Sequence, residues 1–277
     1  NWTLLIQGVD RFIPEIEALI THFDFIPRWR FDDVMISYAA TGGSVGPHFD
    51  FYDVFLLQGS GNRRWELSFQ HCNIDNYLAD VPLRIMQEFT PEQVFDVEPG
   101  DILYIPPKVA HHGVSLDDDC TTLSFGYRSY SAEELFNTQP ITGYYQDPIW
   151  DTQNNPAFIP DSAIQAANKI ADIGKLDFAK FITKLDTLDQ KILQQFEFEQ
   201  QQLTLNPSGN YQLHSVCKIA YMQSEGKTCY FINGFLFDAQ DLDEHSLINF
   251  CNQRTLIAAE NPALLKRLFD LNLIQEI

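Results

Sequence analysis

At 277 residues and 45% apolar content, the chain can hold one large domain or two to three smaller ones, each with a real core. A formal charge of −20 argues against DNA or bare RNA as the main partner, because phosphate binding needs clustered Lys and Arg. The same charge suits a basic partner through complementary steering, although solubility alone accounts for it equally well. No apolar run approaches the roughly 18 residues of a membrane span, and no signal-peptide pattern opens the chain. The five cysteines (Cys72, Cys120, Cys217, Cys229, Cys251) are odd in number and lack a Cys-x-x-Cys spacing. They read as reduced thiols of a cytoplasmic protein rather than as disulfides or a zinc site. The chain opens on Asn1 and enters directly on the apolar stretch Trp2–Ile6, which reads as a piece of a longer protein.

In chain order, residues 1–137 carry short β-type runs at Val34–Ala39, Asp53–Gln58, Trp65–Phe69, Ile102–Ile105 and Thr121–Tyr127. Gly and Pro punctuate them at Gly42–Gly43, Gly59–Gly61, Pro99–Gly100 and Pro106–Pro107, as in an all-β barrel or sandwich. Phe12–Phe23 and Pro82–Gln87 read as short helices, the second with Pro at its first position. The expected fold is mainly β with α, built on a double-stranded β-helix barrel. In residues 138–205 a polar connector leads to a helical region. There Phe178, Phe181, Leu185, Leu188 and Ile192 follow a 3-4-3-4 spacing, a narrow apolar seam suited either to packing against Ile164–Ile173 or to a homodimer contact. In residues 206–277, a strand-like run Tyr230–Phe237, broken at Asn233–Gly234, precedes helical segments at Leu242–Asn252 and Pro262–Phe269. That pattern suits a small winged-helix-like domain. Its eight acids against five bases, a net of −3, favour a protein-interaction or structural role over DNA reading.

The chemistry concentrates in the barrel. Residues 46–55, GPHFDFYDVF, contain His48 and Asp50 two apart, so on an extended strand both point to one side. A histidine from a distant strand would complete a two-histidine, one-carboxylate face, which leaves coordination positions open for substrate and O2. A lone His-x-Asp occurs by chance in many chains. Here residues 99–107, PGDILYIPP, lead into His111 and His112. His111 is preferred because it follows Pro107 by the spacing usual in such barrels, and His112 then points the other way. Arg63 lies on the next strand after the expected His48–Asp50 strand, and both that strand and the His111 strand are expected at one barrel mouth. Its guanidinium can grip a carboxylate bidentately at any working pH, as the distal carboxylate of 2-oxoglutarate requires. The plainer reading of Arg63 alone is a surface cation beside Trp65. Arg64 should face solvent or an acidic neighbour.

Residues 43–50, 52–59, 63–65 and 99–107 together resemble a JmjC oxygenase, and within that superfamily the bacterial ribosomal oxygenases. The resemblance implies Fe(II) at His48, Asp50 and His111, 2-oxoglutarate as co-substrate at Arg63, and Ser124 lining the same pocket. It implies consumption of O2, release of succinate and CO2, and hydroxylation of an arginine on a basic large-subunit ribosomal protein of the L-sixteen type. The family also carries an upstream segment that this chain lacks. Asp32, Asp33, Asp53 and Asp117–Asp119 are candidates for an acidic field around a substrate arginine, most of them reading as solvated loop charge. A JmjC lysine demethylase and a non-catalytic cupin-like scaffold that binds a ribosomal protein are the competing readings. His22, His71, His214 and His245 have no metal-compatible neighbours. The aromatic groups Tyr127–Tyr130–Phe136 and Tyr144–Tyr145–Trp150 read as packing between the barrel and the helical region, with substrate contact as the alternative.

Overall fold

The computed structural model describes residues 1–79, 81, 84–136, 143–150, 155–200 and 204–277. Contacts divide the chain into two compact units. One contains residues 1–20 and 31–130, the other residues 21–30 and 131–277.

The first unit contains β1 (Thr3–Ile6), α1 (Pro14–Leu19), β2 (Phe31–Ala39), β3 (Tyr52–Ser60), β4 (Arg63–Ser68), β5 (Gln93–Val97), β6 (Ile102–Ile105), β7 (Ala110–Ser115) and β8 (Cys120–Arg128). Two antiparallel sheets result, ordered β1-β2-β8-β3-β6 and β5-β4-β7. Inward-facing residues at alternate positions supply the core between them: Val54 and Leu56 from β3, Trp65 and Leu67 from β4, Val97 from β5 and Ile105 from β6. The expected β-type runs fall in β2, β3, β4, β6 and β8, except that β4 ends at Ser68, one residue short of the expected Phe69. β5 was not expected, because four of its five residues are exposed and no apolar alternation marks it. The helix expected over Phe12–Phe23 is shorter, with α1 giving way to a 3-10 turn at Ile20–Phe23.

Of the expected helix Pro82–Gln87, residues 82 and 83 lie outside the described residues, and Arg84–Gln87 is not helical. Its backbone is taken up by a cross-loop ladder instead. Met86 bridges Tyr77, the Leu78 amide donates to the Ile85 carbonyl at 2.8 Å, and the Gln87 amide donates to Asn76 at 2.9 Å. Between β2 and β8 the register shifts at Phe31/Val34, a bulge that re-aims the side chains it spans.

The second unit contains α2 (Ala132–Phe136), α3 (Asp161–Ala167), α4 (Lys175–Ile182), α5 (Thr187–Gln200), β9 (Asn210–Leu213), β10 (Ile219–Ser224), β11 (Lys227–Ile232), β12 (Phe235–Phe237), α6 (Glu244–Gln253), β13 (Thr255–Ile257), α7 (Pro262–Asp270) and β14 (Ile274–Glu276). Its sheets are β10-β11-β12 and β13-β9-β14. The break at Asn233–Gly234 is a two-residue hairpin turn. Both residues have positive φ (52° and 88°), and Ile232 pairs with Phe235 across it.

The 3-4-3-4 seam is not one continuous stripe. Thr183 ends α4 by donating its hydroxyl to the Ala179 carbonyl (2.8 Å), and Asp186 restarts the chain by accepting from the Asp189 amide (2.8 Å). Phe178 and Leu185 are therefore buried within the unit, while Leu188 is 48% exposed. Among the described residues no helix is long and apolar enough to cross a membrane, and all five cysteines are free thiols.

Candidate active site

His48 and Asp50 are not on the expected strand: they lie on a segment between β2 and β3 that belongs to neither sheet and makes only an isolated bridge at His48, and His111 lies in β7. An antiparallel bridge joins them. The His48 amide donates to the His111 carbonyl (3.0 Å) and the His111 amide to the His48 carbonyl (2.8 Å). This pair of bonds sets the two imidazoles side by side, ring centroids 4.2 Å apart. The Asp50 Oδ2 atom is 3.7 Å from His48 Nε2 and 3.9 Å from His111 Nε2. One ligand atom from each residue lies within 4.8 Å of the others, the one such cluster of metal-ligating side chains among the described residues.

The ring nitrogens decide what this cluster can do. His48 Nδ1 is 2.9 Å from the Gly46 carbonyl, and His111 Nδ1 is 3.1 Å from the Val109 carbonyl. A carbonyl only accepts, so each Nδ1 carries the proton and donates. Each Nε2 keeps its lone pair for a metal. Burial, and then the neighbouring His48, push the His111 imidazole well below its ordinary value, so it is neutral and available as a ligand at neutral pH. The donor set of two imidazoles and one half-exposed carboxylate fits a divalent transition metal with open positions.

The cluster opens into a cavity of about 430 Å³. Arg63 lines the same cavity and is 2% exposed, with its Nε and Nη2 groups lacking any hydrogen-bond partner among the described residues. Trp65 lies alongside, its ring centroid 5.7 Å from the guanidinium carbon and 5.9 Å from the His111 ring. A buried guanidinium with idle donors is costly unless a ligand satisfies it. It therefore fits a carboxylate-bearing co-substrate such as 2-oxoglutarate. Gly113 leaves the room Trp65 occupies, since a Cβ there would sit 2.6 Å from the indole ring. Ser124, half-buried in β8 opposite Leu56, also lines the cavity.

The residues set aside face elsewhere. Arg64 makes a two-pronged ion pair with Asp96, both contacts at 2.7 Å. His112 turns to Glu66 at 3.0 Å. Tyr127 packs edge-on against Phe31 and Phe55, and Tyr145 packs against Trp29 and Phe178.

Among the acids, Asp117, Asp118 and Asp119 staple loops by accepting from Asn62, Thr41 and Tyr38, and Asp53 accepts from Tyr104. Asp32 and Asp33 behave differently, because both line the cavity. Neighbours on a regular strand point to opposite faces. The bulge at this end of β2 brings both to one side. Burial, together with Asp32, raises the Asp33 carboxyl to about 6. Asp33 accepts from the Gly8 amide (2.8 Å), and Asp32 accepts from the Tyr52 hydroxyl (2.8 Å). Tyr52 was not singled out from the sequence. Its signal was present, since Asp50, Tyr52, Val54 and Leu56 alternate and all four line the cavity.

Comparison with known proteins matches residues 18–135 to the JmjC domain. The chain is 43% identical over 151 residues to a probable ribosomal oxygenase of Haemophilus influenzae, covering 53% of this chain and 37% of that protein. It is 39% identical over 171 residues to the ribosomal protein uL16 3-hydroxylase of Escherichia coli, covering 57% of this chain and 44% of that one. The chain thus spans less than half the length of these curated relatives. A solved structure of YcfD, a ribosomal oxygenase from Escherichia coli, in complex with cobalt and 2-oxoglutarate, superposes with a TM-score of 0.62. It is 25% identical, with 98% of this chain and 76% of that one covered.

Proposed function

We propose that the chain, whose residues 18–135 match the JmjC domain, is an Fe(II)- and 2-oxoglutarate-dependent hydroxylase of an arginine on a large-subunit ribosomal protein of the uL16 type. The observation that carries this reading is a single cavity. It joins a two-histidine, one-carboxylate face to a buried guanidinium with idle donors. In the proposal His48, Asp50 and His111 hold the metal through two Nε2 atoms and one carboxylate. Arg63 takes the distal carboxylate of 2-oxoglutarate from the cavity wall. When bound, Fe(II), 2-oxoglutarate and O2 supply the oxidising chemistry, and the co-substrate leaves as succinate and CO2. Val54, Leu56 and Trp65 give the cavity an apolar wall that keeps water away from the reacting carbon. Position 3 of the arginine is carried over from the name of the Escherichia coli relative.

Arginine is the side chain that the acidic wall suits. Asp32 and Asp33 both line the cavity; Arg128 and Arg11 already lie 3.9 and 4.0 Å from them, so a substrate guanidinium would share these two carboxyls with the chain's own arginines. The chain's charge of −20 draws in a basic protein over longer distances. Asp33→Asn is expected to raise KM for a substrate peptide about tenfold, roughly 1.4 kcal/mol. Below pH about 6 the Asp33 carboxyl is neutral and cannot pair with a cation, and above it the carboxylate is formed. The peptide KM of the native protein should therefore fall as pH rises through about 6, and the Asn variant should lose that inflection. An unchanged KM and pH profile would remove Asp33 from the substrate site.

The test of the whole reading is succinate formation that depends on a uL16-type peptide, with Fe(II) and 2-oxoglutarate supplied and air admitted. The peptide should gain the mass of one oxygen on an arginine. Loss of a methyl from a lysine instead would make the protein a demethylase, and no turnover with bound peptide would make it a scaffold. The proposal extends to a cytoplasmic homodimer that uses exposed Leu188 and Phe198 of α5, and to a winged-helix-like partner-binding role for residues 206–277. A monomeric mass in sedimentation would remove the dimer.

A further inference from the structure

The segment that carries His48 and Asp50 belongs to no strand, yet it has to present two ligands at fixed spacing. One side is held by the barrel. His48 and His111 exchange two backbone hydrogen bonds, and the Lys108 amide donates to the Asp50 carbonyl at 2.8 Å. Lys108 reaches that carbonyl from a left-handed conformation, φ 64°, which a side chain as long as lysine adopts at a cost.

The other side is held by the loop between β4 and β5. Its arms, residues 71–78 and 85–88, close on one another through Tyr77 and Met86. Asn76 locks the base. Its side chain donates to the His71 and Glu88 carbonyls (3.1 and 2.8 Å) and accepts from the Glu88 amide (2.9 Å). From this frame the Met86 amide donates to the Pro47 carbonyl at 2.8 Å, and the Ile85 side chain lies against Gly46. Phe49, between the two ligands in sequence, is fully buried. It stacks on the Tyr77 ring with centroids 5.1 Å apart and planes 12° from parallel. The loop thus grips residues 46, 47 and 49, interleaved with the two ligands.

We propose that Tyr77 and Asn76 are positioning residues for the metal. They set the affinity of the His48–Asp50 pair by holding the segment in its binding geometry before the ion arrives. The inference rests on the reading that His48, Asp50 and His111 bind metal. An unheld segment would have to be ordered at the moment of binding, and that cost would come out of the affinity. Loss of outer supports of this kind typically weakens metal binding about 10- to 100-fold.

The test is a titration of the full chain with Co(II), followed by visible absorption, alongside thermal melting of the metal-free protein. Tyr77→Ala and Asn76→Ala should each weaken Co(II) binding about tenfold or more. Tyr77→Phe, which keeps the stacked ring, should restore native affinity. A folded Tyr77→Ala protein that melts earlier but binds Co(II) as tightly as the native chain would overturn the proposal and leave the loop merely structural. Should Tyr77→Ala not fold, Tyr77→Leu, which keeps bulk without a ring face, is read the same way. His48→Ala separates the two levels. If it loses Co(II) while Tyr77→Ala does not, only the loop's role falls. If it keeps Co(II), the ligand reading falls first.

Discussion

Replacing His48 with alanine should abolish peptide-dependent succinate formation, with a loss of more than about a hundredfold, the upper end of what outer-shell changes cost. The reason is geometric. The cluster offers three ligand atoms and no spare, so two remaining groups cannot hold the ion against water. Asp50 cannot compensate, because its carboxylate already faces both imidazoles at 3.7 and 3.9 Å. The backbone bridge between positions 48 and 111 uses only main-chain atoms and survives the substitution, so the metal-free variant should melt near the native temperature. His111 should also titrate higher in that variant, since one of the influences that depress it is His48 itself. Proton NMR of the metal-free variant reads that shift. Full turnover by a folded His48→Ala protein would end the ligand assignment.

Arg63→Met should be nearly as damaging to turnover while leaving the fold intact or improved. Arg63 is a buried cation with two donors unpaired, which costs about 1–3 kcal/mol while nothing is bound. An apolar side chain of similar length removes that cost, so the metal-free, co-substrate-free protein should melt no earlier than the native one. The same change removes the partner of the 2-oxoglutarate carboxylate. Truncating one side of a buried charge pair costs about 2–5 kcal/mol, on the order of 30- to several thousandfold in co-substrate affinity. Kinetics at increasing 2-oxoglutarate give the readout: KM should rise steeply, and metal affinity measured with Co(II) should stay native. A variant that lost metal binding together with co-substrate binding would place Arg63 among the supports of the metal instead.

Much of the barrel was legible because its strands obey a period of two and end at Gly and Pro. Asp50, Tyr52, Val54 and Leu56 sort to one face on alternation alone. The same rule turned Arg64 and His112 away from the cavity, where the structure pairs them with Asp96 and Glu66. Alternation failed for β5, whose exposed residues carry no pattern. Helical spacing failed in the seam from Phe178 to Ile192. A hydroxyl returned to the backbone at Thr183 and a carboxylate cap at Asp186 divide it between α4 and α5. Such competition between side chain and helix is local, yet the spacing of apolar residues does not record it.

By itself the sequence determined the candidate chemistry: His48, Asp50, His111 and Arg63, and the β framework that would carry them. The His-x-Asp spacing is common by itself and gained meaning from the neighbouring Arg63 and the 99–107 turn before His111, and strand periodicity is a local property of the chain. Only the tertiary structure decided which acids serve the cavity and what braces the ligand segment. Asp32 and Asp33 reach the same side only because β2 bulges against β8. The His48–Asp50 segment is held by Tyr77, Met86 and Lys108, each from a distant part of the chain. A bulge and a docked loop are settled by partners that meet only once the barrel has closed.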